Sequence, residues 1–103
     1  MYISSKAEYG VRALFELAQQ YGSGPVQSET IATRQDIPVN YLNQVLVQLR
    51  KAGLVESIRG PQGGHMLAHP PEHITLLEIL TILEGPVITT SEASGATIAG
   101  ATT

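Results

Sequence analysis

Asn40, Tyr41, Asn43 and Gln44 fall within five consecutive positions and bring together three amides and a phenol, with no acid among them. Each amide sets a donor beside an acceptor, the pairing that meets an adenine edge in the major groove, and a neighbouring apolar side chain can meet a thymine methyl. A second group follows in Arg59-Gly60-Pro61-Gln62-Gly63-Gly64, one cation in a turn with three glycines. Glycine lets a backbone come close to a phosphate or a groove wall. A guanidinium at a hairpin tip is drawn into a narrow A·T-rich minor groove. Lys51 supplies a point charge for a phosphate. The chemistry these residues offer is readout of a duplex, not bond-making, although the segment by itself also reads as an ordinary amphipathic helix with an uncharged outer face and the rest of the chain must decide. No Ser-His-acid or paired-carboxylate spacing occurs, so an enzyme is not expected.

Such groups need a rigid carrier. Over Val39 to Ala52, Leu42, Val45, Leu46 and Leu49 recur at i, i+3, i+4 and i+7, which predicts a helix with one narrow apolar stripe. Asn40, Gln44, Val47 and Lys51 then lie on the opposite side, flanked by Tyr41 and Asn43. Upstream, Ser5-Lys6-Ala7-Glu8 reads as a capping box opening a helix to about Tyr21, and Gly22-Ser23-Gly24-Pro25 ends it. Val26 is read as a short extended link. Ser28 is the expected N-cap of a two-turn second helix. Gln35-Asp36-Ile37-Pro38 breaks that helix, and Pro38 suits the first turn of the next. Short helix, break, longer helix is the helix-turn-helix arrangement, which lays its second helix in the major groove.

Gly53 is a natural residue to follow the helix end. Leu54–Ile58 and His65–Ala68 read as two strands around the glycine turn, a hairpin placed as the wing of a winged helix. Thr75-Leu76-Leu77-Glu78 is a second capping box, and Leu76, Ile79, Leu80 and Leu83 carry a fourth helix to Gly85-Pro86. Residues 87–103 are small and lack Lys or Arg, and read as a loop or tail. The fold class is mainly α with a small β-hairpin, a winged helix-turn-helix in residues 1–86.

Composition limits the alternatives. The 103 residues contain no Cys, which removes disulfides, thiolate metal sites and a cysteine nucleophile. No signal peptide or membrane span is evident, so the expected setting is the cytoplasm. Net charge is −3, but residues 1–71 hold six Lys or Arg against five acids, and residues 72–103 hold four acids and no base. The candidate reading region is therefore weakly basic, and a chain with so few phosphate partners would bind DNA as a dimer. His65, His69 and His73 recur every four residues, but Pro70 and Pro71 forbid the helix a metal face would need. They read as wing and loop histidines, with no metal site. The acidic stretch 72–92 and the apolar fourth helix leave a second class open, an interaction module that binds a protein and not DNA.

Four stretches together carry a resemblance: SKAEYGVRAL at 5–14, Asn40-Tyr41-Leu42 with Gln44-Val45-Leu46, LRKAGLVESIRGPQGGHMLA at 49–68, and ITLLEI at 74–79. They resemble the Rrf family of bacterial winged helix-turn-helix transcription regulators, across roughly Met1 to Pro86. The resemblance implies a homodimer on a palindromic operator. It places Asn40, Tyr41, Asn43 and Gln44 where bases and phosphates are met, Arg59 with Gly60, Gln62, Gly63 and Gly64 in the wing, and Ser28 at a phosphate. Members commonly hold an iron–sulfur cluster on three cysteines after the fourth helix. Here Ala93 and Ala99 stand about where two are expected, and alanine supplies no lone pair. Two origins stay open, a natural cluster-free member or alanines put in place of cysteines. Glu8, an acidic ligand position in some relatives, is accounted for by its capping role. The family's long dimerisation helix is not represented in the sequence through Thr103.

Overall fold

The computed structural model describes residues 4–85 and 96–101. Helix α1 (Ser5–Gln19) runs through the middle and buries Ala7, Gly10, Ala13, Leu14 and Leu17. Its cap is one residue earlier than the sequence indicated. The Ser4 hydroxyl accepts from the Ala7 amide at 3.2 Å, which leaves Glu8 one position too late for a capping box, and Glu8 pairs with Arg12 at 3.5 Å. Helix α2 (Ser28–Gln35) is capped by the Gln27 backbone and not by Ser28, which is its first helical residue. Asp36 closes it in the left-handed conformation at φ 53°, one that Asp tolerates better than most side chains. Ile37 then turns inward and Pro38 precedes helix α3 (Val39–Lys51).

The stripe expected on α3 is the stripe observed. Leu42, Val45, Leu46 and Leu49 are all within 2% of full burial, each worth about 1.5–3 kcal/mol against exposure. Gly53, at φ 88°, lets the chain reverse after α3. Strands β1 (Val55–Ile58) and β2 (Gly64–Leu67) pair antiparallel, with Val55 opposite Leu67 and Ser57 opposite His65. A 3₁₀ turn at Pro71–His73 leads into α4 (Leu76–Glu84). The capping box at its start is present as read: Thr75 accepts from the Glu78 amide at 3.0 Å while Glu78 accepts from the Thr75 amide at 2.9 Å.

Helix α4 lies on α1 and α3. The seam is closed at Gly10, where a Cβ would run into the Leu83 side chain. No helix among the described residues is long and apolar enough to cross a membrane.

Val26 is extended, as expected, and it also pairs: it exchanges both backbone hydrogen bonds with His65 at 2.8 Å and so lays one more extended residue beside β2. The expectation for the tail is corrected. Residues 96–101 return to the body, with the Leu76 amide donating to the Ala96 carbonyl at 2.9 Å and the Ile98 amide to Ile74 at 2.8 Å. A short helix α5 (Ile98–Ala101) follows, and Ile98 is fully buried against the core. Truncating that side chain leaves a cavity, so Ile98→Ala is expected to cost about 2–5 kcal/mol in urea unfolding. A detached tail would leave the midpoint unchanged.

Candidate nucleic-acid interface

On α3 the inner stripe decides what faces out. Asn40, Asn43, Gln44, Val47, Arg50 and Lys51 are exposed. Tyr41 is only half-exposed, because its ring stands edge-on to Tyr9 of α1 at 5.2 Å between centroids. Arg12 lies over the other partner, 5.5 Å from the Tyr9 ring centre. Tyr41 therefore joins the helix to α1 and leaves three amides as the open polar group.

In the wing, Arg59, Gly60 and Gln62 are exposed in the loop between the strands. Gly63 and Gly64 are turned inward, contrary to a role as open phosphate-facing backbone. A Cβ on Gly63 would collide with the Ile58 carbonyl, and one on Gly64 would sit 2.6 Å from the Val26 carbonyl oxygen. These two glycines are demanded by strand packing. The outer face of α3 and the wing meet across a cleft of about 160 Å³ lined by Asn43, Leu46, Val47, Arg50, Ser57 and His65.

The charges divide along the same line. Among the described residues the ion pairs are Glu8–Arg12 and Glu16–Arg34, both at 3.5 Å. Arg50, Lys51 and Arg59 belong to neither, and Lys6 lies apart from them on α1, near enough to Glu84 to help hold that carboxyl below its ordinary pKa after the bonds from Ser4. The cations free to meet an anion thus gather at the end of α3 and on the wing. Glu16 is an acid that periodicity passes over. It is 7% exposed and accepts from Gln35 at 2.8 Å and Arg34 at 3.5 Å, fastening the last turn of α2 to α1. An acid on the buried arc of α1, beside Leu17, is the signal that could have revealed it.

His65 is the other residue that sequence reading left without a role. Its Nε2 lies 2.9 Å from the Ser28 hydroxyl and its Nδ1 2.9 Å from the Ser57 hydroxyl. Ser28, expected to face a phosphate, thus has its side chain engaged by the wing. His69 and His73 are exposed, and no group of three His, Cys, Asp or Glu that could hold a metal occurs among the described residues.

Comparison with known proteins fixes the lineage. The family profile Rrf2, "Iron-dependent Transcriptional regulator", matches residues 3–101. The chain belongs to the Rrf2 family. It is 44% identical over 87 residues to the HTH-type transcriptional regulator CymR of Bacillus subtilis, covering 84% of this chain and 63% of that one. The solved structure of CymR (YrzC), the global cysteine regulator of B. subtilis, superposes with a TM-score of 0.90 at 31% identity, covering 99% and 96% of the two chains. IscR of T. potens gives 0.87 at 38% identity, covering 98% and 85%. The chain spans 57–63% of the length of the curated relatives it matches first. These relatives are transcriptional regulators and not enzymes.

An iron-dependent family implies iron or an iron–sulfur cluster, and the donors among the described residues do not fit one. Thiolates are the ligands such clusters use, and the sequence holds no Cys. Ala99 is in α5 with only a methyl to offer, and Ala93 lies outside the described residues. Glu8 is 58% exposed and paired with Arg12.

Burial and the Arg50 charge both push the His65 pKa below its ordinary 6.5, with Glu29 opposing them. The folded chain therefore prefers the neutral ring, whereas the unfolded chain takes up its proton near pH 6.5. Stability from this site is full above pH 6.5 and declines as the pH falls below it. Thermal melting of the wild type between pH 7.5 and 5.5 is expected to drop by more than that of His65→Gln, which cannot titrate. Identical slopes would contradict the assignment.

Proposed function

We propose that this Rrf2 member is a sequence-specific DNA-binding transcription regulator that acts as a homodimer on a palindromic operator, without an iron–sulfur cluster. The observation that carries this reading is the pairing of an inwardly anchored α3, its amides outward, with an Arg59-bearing wing across one cleft. Asn40, Asn43 and Gln44 would meet base edges in the major groove, and Arg59 with the Gly60–Gln62 loop would enter the minor groove. Tyr41 and Lys51 would hold phosphates, and Ser28 would contribute its backbone amide at the start of α2. Gly63 and Gly64 shape the wing from inside. Arg50, Lys51 and Arg59 neutralise few phosphates in one chain, so useful affinity calls for two copies on two half-sites. A duplex DNA partner places the protein in the bacterial cytoplasm. The apolar face of α4 that could have drawn a protein partner is used within the chain, since Ile79, Leu80 and Leu83 are buried.

Fluorescence anisotropy on a duplex enriched from a random pool, with a scrambled duplex beside it, tests the reading. Gln44→Ala is expected to lose about 1–3 kcal/mol on the enriched duplex and almost nothing on the scrambled one. Lys51→Ala is expected to weaken both alike and to lower the salt slope by about one. Equal losses on both duplexes for Gln44→Ala would remove it from the reading set. No binding to any duplex at low salt would remove DNA as the partner.

A further inference from the structure

We propose that His65 is the positioning residue that sets the wing against the helix-turn-helix, so that minor-groove contact by Arg59 depends on an imidazole that itself touches no DNA. This rests on the DNA-binding reading above. The wing is a hairpin of four-residue strands whose one fully buried rung is at its base, Val55 opposite Leu67. Strands rise about 3.3 Å per residue, so Arg59 to Gln62, the exposed part of the loop, lie beyond that anchorage, and Pro61 to Gly63 face Val26 and Thr30 across an open cleft. Hydrogen bonds within the hairpin hold β1 to β2 but do not by themselves fix the angle of the pair to α2.

Gly64 packs on the Val26 backbone, and the wing's hydrogen bonds to Val26 and to α2 gather at the next residue. The His65 backbone exchanges both hydrogen bonds with Val26 at 2.8 Å. Its ring reaches Ser28 on α2 through Nε2 and Ser57 on β1 through Nδ1, each at 2.9 Å. One side chain thus straps three segments, α2, β2 and β1, in a single line. Neutral imidazole donates from one nitrogen and accepts at the other, and a hydroxyl can answer either. Ser57 is in β1 two residues before Arg59, which directly follows the last strand residue, Ile58, so the strap that holds Ser57 also fixes the strand end that carries Arg59. The ring forms one wall of the cleft shared with Asn43, Val47 and Arg50, which ties the wing's angle to the outer face of α3.

The test is a set of double-mutant cycles by anisotropy, using the 103-residue chain and the duplex enriched from a random pool. In the wild type, Arg59→Ala is expected to weaken binding about tenfold. In a His65→Ala background it is expected to cost less than about twofold, because the arginine is no longer aimed. Gln44→Ala should cost the same factor in both backgrounds, since α3 keeps its anchorage. His65→Gln, which retains one donor and one acceptor, is expected to recover most of the Arg59 effect. Were Arg59→Ala to cost the same factor with and without His65, the positioning role would be overturned. Equal attenuation of the Gln44 and Arg59 effects would overturn it too, because it would mark general loosening. If His65→Ala fails to fold by circular dichroism, the Ser28→Ala/Ser57→Ala double variant replaces it as the background, and the same two results would overturn the role. Failure to enrich any duplex would instead bring down the DNA-binding reading on which this inference stands.

Discussion

The one-sided anchorage of α3 is the constraint on which the molecule depends. Four aliphatic side chains at i, i+3, i+4 and i+7 are removed from water, and together they fix the rotation of the helix about its own axis. Turning it by one residue, about 100°, would expose part of that stripe and bury amides without partners, at about 1–3 kcal/mol for each unsatisfied group. The outward direction of Asn40, Asn43 and Gln44 is therefore enforced from behind. It does not rely on any contact those amides make themselves.

The supporting elements act on the same helix from other directions. Tyr9 and Tyr41 brace its N-terminal end against α1, Gly10 lets α4 close against α1, and the Glu16–Gln35–Arg34 group holds the turn that delivers the chain into α3. Acids within the body also engage Arg12 and Arg34. A chain with net charge −3 thereby keeps Arg50, Lys51 and Arg59 available on one side, and local field counts for more than overall charge at contact range.

Legibility in the sequence followed the range of the interactions. The α3 stripe, the Thr75 capping box and the glycine after α3 depend on neighbours within a turn or two of helix, and each stands where the pattern placed it. The first cap slipped by one because Ser4 and Ser5 are both competent, and only the geometry shows that Glu8 then falls outside the box. Long-range pairings left no such trace. Val26 with His65, and Ile74 with Ile98, join positions too far apart for periodicity to register. Ile98 had no chance to display a period at all, being one large apolar residue among Ala, Gly and Thr. Glycines misled in a different manner: a Gly-rich turn signals close approach, but not whether the thing approached is an outside ligand or, as at Gly63, the chain's own carbonyl. For the candidate site, the amides and Arg59 were readable from residue type alone. The ring that connects the wing to α2 was not, because a histidine flanked by glycine and methionine announces no partner.

The hairpin also has an outer margin. Val26 lies against β2 on one side, which makes β1 the rim of the small sheet, with a row of backbone amides and carbonyls turned toward solvent. Such a rim is a template onto which another chain can add itself. Here it is only four residues long, and its second position is the solvent-facing carboxylate of Glu56. A short, negatively charged margin resists edge-to-edge stacking, so an arm that must project from the body to be of use can do so at high protein concentration without seeding fibrils.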